Sequence, residues 1–78
     1  MSRAEFWVMR VVMPANDPRI EEADTVREAG RKGWVRLESG ELAEPLQCFD
    51  RPIDANEHLV AIARPGETYV AVMNIDLD

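Results

Sequence analysis

The sequence predicts an α+β domain: one helix packed on a mostly antiparallel sheet of four to five short strands, in the order β-α-β-β-(β)-β-β. Three observations carry this. The last ten residues place apolar side chains at Tyr69, Ala71, Met73, Ile75 and Leu77, the two-residue period of a half-buried strand. Residues 6–13 (FWVMRVVM) are rich in β-branched and aromatic residues, with one face of Trp7, Met9, Val11 and Met13 and a second that is nearly as apolar. A strand apolar on both sides sits centrally in its sheet or is covered twice. Between the two strands, a helix-start signal at Asp17-Pro18 is answered by a stop signal at Gly33.

The elements follow in order. Pro14 ends the first strand, because it has no amide to donate to a ladder. Asp17 suits an N-cap and Pro18 the first helical position, and Glu21 and Glu22 complement the helix dipole. Thr25-Val-Arg-Glu28 forms a competing capping box. The segment is therefore either one helix over 18–32 or a turn followed by a short helix from Val26. Its buried stripe is expected at Ile20, Ala23, Val26 or Arg27, and Gly30. Residues 34–38 and 41–43 flank Ser39-Gly40 as a tight hairpin, and residues 46–49 add a short strand after Pro45. Residues 50–56 read as a polar connection, with Pro52 arguing against regular structure, and residues 58–63 as a strand. Arg64-Pro-Gly-Glu67 has proline and glycine where a type II turn wants them. The final strand is expected to run into the fold, so that residues 1–78 read as one compact domain. A ferredoxin-like arrangement would result if the first and last strands are neighbours.

Charge is unevenly spread. The net charge of −6 divides into +1 over residues 1–36 and −7 over residues 37–78. An acidic half repels phosphate backbones, so direct nucleic-acid binding is not expected of it, whereas a basic protein surface would be attracted. A single cysteine, Cys48, excludes an internal disulfide and a multi-cysteine zinc site and fits a reducing, cytoplasmic setting. The apolar run near the N-terminus is broken by Arg10 and is far shorter than the ~20 residues that span a bilayer, so no membrane association is expected.

Few residues could carry chemistry. Cys48 and His58 are the candidate nucleophile and base, with Asp50, Asp54 or Asn56 to orient the imidazole, but no glycine-rich oxyanion loop lies nearby. Asn74, Asp76 and Asp78 have the alternate spacing of a calcium-loop start without its glycine or distal glutamate, and read as the polar outer row of a strand. Arg27, Arg31, Lys32 and Arg36 gather where they complement a helix C-terminus. Trp7 reads as core, and Trp34, just past Gly33, as the better interface anchor.

The expectation is a non-enzymatic protein-binding module without metal or cofactor, a small acidic inhibitor or adaptor. Its contact residues would be Glu38, Glu41 and Glu44 on the hairpin, with Trp34, Asp54, Glu57, Asp76 and Asp78. The partner would be a protein with a basic surface, a nucleic-acid-binding protein among the candidates. In size and charge the chain is similar to phage-encoded antagonists of bacterial defence, such as anti-CRISPR and anti-restriction proteins, a likeness of general character that no motif carries. The alternatives are a self-associating structural protein, dimeric through its terminal strands, and a small cysteine enzyme using Cys48 and His58.

Overall fold

The computed structural model describes the backbone of residues 2–77 and the side chains of residues 4–73. Its elements are β1 (Ser2–Met13), a 3₁₀ turn (Pro18–Glu21), α1 (Ala23–Lys32), β2 (Val35–Arg36), β3 (Leu42–Phe49), α2 (Pro52–Ile62) and β4 (Tyr69–Leu77). The strands form one sheet in the order β2-β3-β1-β4, and every neighbouring pair is antiparallel. β1 and β2 therefore run the same way with β3 between them, and β3 and β4 run the same way with β1 between them. Each pair is joined by a crossover that carries a helix. The result is two interlocked split βαβ units, the ferredoxin-like arrangement. The α+β class stands, and the first and last strands are neighbours.

β1 owes its central place to the apolar character of both its faces. Val8 is 0% exposed and Met9 is also buried, although the two point to opposite sides of the sheet. Phe6 pairs with Met73 on one side and Phe49 on the other, and Trp7 pairs with Val72 and Cys48. Two register shifts interrupt the β1–β3 ladder, and Pro45 lies at the first of them, opposite Met9. The expected separate strand after Pro45 is thus the continuation of β3. A bulge accommodates the residue that cannot donate.

The region from Pro18 to Lys32 is two elements, split at Glu22, whose extended backbone (φ −76°, ψ 143°) is the N-cap of α1. Asp17 caps the 3₁₀ turn as expected, accepting from the Arg19 amide at 2.9 Å. The Thr25 capping box does not form. Thr25 lies inside α1 and is buried, because the helix has already begun at Ala23. The break also changes the phase of the buried stripe. Ile20 stays buried, but Ala23, Val26 and Gly30 are exposed, and Thr25 and Ala29 turn inward in their place. Gly33 ends α1 in the left-handed region (φ 75°), its amide reaching the Ala29 carbonyl. The hairpin forms as expected: Val35 pairs with Ala43, Arg36 with Leu42, and the Leu37 amide donates to the Glu41 carbonyl at 2.8 Å. Gly40 takes the positive φ of 97° that its turn demands.

The largest correction is α2. The polar connection over 50–56 and the strand over 58–63 are one helix, Pro52–Ile62. Pro52 occupies the first turn, where a missing amide costs nothing, and Asp54 suits the dipole and binds the Arg51 guanidinium at 3.0 Å. Ala55, Leu59 and Ile62 recur at helical spacing on the side that lies over β1, β3 and β4. The run LVAI over 59–62 has no alternation, and a short apolar run does not by its period distinguish strand from helix.

β4 is a strand as expected, but its inward row is not. Ala71 and Met73 are exposed, Met73 by 57%, while Val70 and Val72 are half-buried. Register places Ala71 opposite Val8 and Met73 opposite Phe6, on the helical face but at the outer edge, beyond the cover that α2 gives β1. The outer row of Asn74 and Asp76 concerns side chains outside the described residues, as does Asp78 altogether.

The packing of α2 can be checked directly. Ala55, 0% exposed, leaves no room for added methylenes, so Ala55→Leu should destabilise the domain by about 1–3 kcal/mol. Val60, 74% exposed, faces outward, so Val60→Lys should stay within about 0.5 kcal/mol of wild type. Urea midpoints measure both; equal losses would mean that residues 58–63 do not pack as this helix.

Candidate functional site

With both crossovers built and α2 on one face, the other face of the sheet has no helix of its own among the described residues. It forms an open trough of about 810 Å³. Trp7 and Met9 of β1, Pro45 of β3, and Val70 and Val72 of β4 make its floor. Val35 and Leu37 wall one side, where the β2–β3 hairpin rises beside the sheet. The rim is polar: Glu5, Glu38 and Glu41 with Arg36.

Local structure fixes these groups. Arg36 donates to the Gly40 carbonyl at 3.1 Å and to Glu21 at 3.0 Å, so its charge is already met. Ser39 donates to the Glu41 carboxylate within the turn. The Cys48 thiol donates to Glu5 at 3.5 Å. Three carboxylates thus stand around an apolar floor beside one guanidinium that is engaged elsewhere.

The expected contact residues are only partly brought together. Glu38 and Glu41 line the trough. Glu44 lies on the opposite face, opposite Arg10 in the β1–β3 register and bound to it at 2.6 Å. Trp34 is half-buried beside a second, smaller crevice that Ile20, Ala29 and Leu42 share, with Lys32 5.3 Å above its ring. Asp54 and Glu57 ride α2. Asp76 is the penultimate residue of β4, and Asp78 lies outside the described residues. The trough adds Glu5, Trp7, Met9, Val70 and Val72; the available signal for Trp7 and Met9 was the double apolar face of residues 6–13 beside a single expected helix, and none pointed to the other three.

Cys48 and His58 do not meet as nucleophile and base. His58 packs against Phe49, ring centroids 5.2 Å apart, on the helical face. Cys48, the preceding residue on β3, points to the trough face with Trp7 and Glu5. Among the described residues no group of three or more His, Cys, Asp or Glu side chains is placed to hold a metal ion. Nor is any helix among them long and apolar enough to cross a membrane. Comparison of the chain with protein-family models, curated proteins and solved structures gave no match.

On the helical face, beyond the reach of α2, the Tyr69 hydroxyl donates to Glu67 at 2.5 Å. That bond raises the phenol above its ordinary range, with desolvation and the Glu67 charge acting in the same direction. A group whose pKa is raised by folding contributes stability below its unfolded pKa, and the contribution is lost as pH rises through the folded pKa. Because Tyr69 is the only tyrosine, an ultraviolet titration reads it alone. The midpoint should lie above that of a free phenol and fall back in Glu67→Gln; a midpoint unmoved by that substitution would remove the assignment.

Proposed function

We propose that this chain is a non-enzymatic protein-binding module, an inhibitor or adaptor, and that its trough takes a basic segment of a partner protein. The observation that carries this is an apolar floor of Trp7, Met9, Val70 and Val72 framed by Glu5, Glu38 and Glu41. Such a surface suits a segment with one or two large apolar anchors flanked by lysine or arginine. The anchors would remove apolar area from water, and the cations would meet the rim, raising association rate and selectivity. Two features speak against nucleic acid in the same place. The rim repels phosphate, and the floor carries a single aromatic, Trp7, where sheets that stack bases present several. A nucleic-acid-binding enzyme is one partner class with the required basic surface, which keeps an anti-defence role of the anti-CRISPR or anti-restriction kind within the proposal.

Trp7 supplies a reporter. The substitution Trp34→Phe leaves Trp7 as the only indole, and a lysine-rich peptide with leucine anchors serves as the probe. Its addition should change Trp7 fluorescence, with binding that weakens as salt screens the rim. Glu38→Lys with Glu41→Lys should weaken it roughly tenfold, about 1.4 kcal/mol. Asp54→Lys with Glu57→Lys, on the other face, should change it little. Equal losses from the two pairs, or no response of Trp7 to any basic peptide, would overturn the trough as the contact surface.

A further inference from the structure

We infer that two copies of this chain pair antiparallel through β4, joining their sheets into one about a two-fold axis at Met73. The inference is independent of what occupies the trough. It begins from the edges of the sheet. β4 has β1 on one side and no strand on the other among the described residues. Such an edge presents unpaired amides and carbonyls and invites a further strand unless something guards it.

The direction of those groups follows from one hydrogen bond and the register. The Val11 amide donates to the Thr68 carbonyl at 2.8 Å, and Thr68 is one step beyond the Arg10–Tyr69 pair. In an antiparallel ladder alternate residues bond the neighbour, and those between them bond outward. Val70 and Val72 therefore bond β1, whereas Tyr69, Ala71 and Met73 direct their backbone groups to the open side. Met73 is the midpoint of Tyr69–Leu77. A two-fold axis through it pairs 69 with 77 and 71 with 75, so that the whole strand is matched and the outward row is satisfied on both copies.

Three further observations favour a second copy. First, residues 68–73 carry no charge, no proline and no lysine, so two chains of net charge −6 meet where repulsion is weakest. In this register Asp76 stands opposite position 70 of the other copy and not opposite its twin. Second, Met73 is an exposed apolar side chain at the two-fold, where its counterpart would cover it. Third, the other side of the sheet is guarded. β2 is two residues long, and β3 beyond it carries Glu44, Pro45 and a register shift. An unguarded, self-complementary edge gives a closed, isologous dimer, and its axis stands perpendicular to the sheet, so both troughs open on one side.

Sedimentation equilibrium of the full chain tests this. The wild type should approach dimer mass as concentration rises. Ala71→Pro removes an outward amide and leaves the bonds to β1 intact, so it should remain folded by circular dichroism and sediment as a monomer. Should that variant fail to fold, Met73→Lys, at an exposed position, places two like charges together at the axis and should abolish the dimer while keeping the wild-type spectrum. A wild type that stays monomeric at the highest attainable concentration overturns the inference. So does a dimer that survives in a folded variant, since association would then use another surface, such as the exposed Ile53 and Val60 of α2.

Discussion

Everything in this domain depends on β1 being paired along both edges. It bonds β4 over residues 2–10 and β3 over residues 6–13, so the first crossover leaves from it and the second passes over it. The requirement explains its composition. A strand with neighbours on both sides has no exposed backbone row, and residues 6–13 supply apolar side chains to both faces at once. Polar exceptions are matched locally: Arg10 bonds Glu44 across the β3 ladder, and Glu5 accepts from Cys48. Val8, fully buried between the sheet and α2, marks where the two layers press together.

The legibility of the fold in the sequence follows the kind of signal each element carries. β1, the hairpin and β4 were readable because period and turn chemistry agree there, and Asp17, Gly33, Gly40 and Gly66 do what their residue types favour. α2 was not, because two cues pointed away from a helix. Pro52 is a breaker almost everywhere except the first turn, and the β-branched residues near it favour strands when judged by propensity alone. The deciding cue was the spacing of Ala55, Leu59 and Ile62, which has weight only once burial is known. Thr25 misled in the opposite way. Its capping box is a real local preference that lost to packing: the helix begins at Ala23, three residues before Val26, and the threonine side chain is buried inside it.

The candidate site was half visible for the same reason. Glu38 and Glu41 stand out because a hairpin tip is local in sequence. The trough floor draws on three strands far apart in the chain, and no local pattern announces their meeting. Charge asymmetry along the sequence also failed to survive as a single patch. The acidic half is distributed over the hairpin, the helical face of the sheet and α2, where Glu44 and Asp54 are answered by Arg10 and Arg51. What remains concentrated is the rim, because the one basic residue there, Arg36, is drawn away to Glu21.

The open face and the open edge have one physical origin. The described residues build four strands and two short helices, and these leave one face of the sheet and the outer side of β4 without a covering element. α2 is spent on the face of Val8, and α1 is set at the β2–β3 end with Ile20 and Leu42, leaving Trp7, Met9 and Val72 beneath no helix. A sequence under pressure only for solubility would have placed polar residues on that face and a lysine or proline on β4, and Val70, Val72 and Met73 are neither. Met9 is buried by the chain itself, but Trp7, Val70 and Val72 are only half-buried and Met73 is exposed by 57%, so part of this apolar area stays in water. That remaining area, on the floor of the trough and at the edge of the sheet, is what the proposed contacts with a partner segment and a second copy would remove from water.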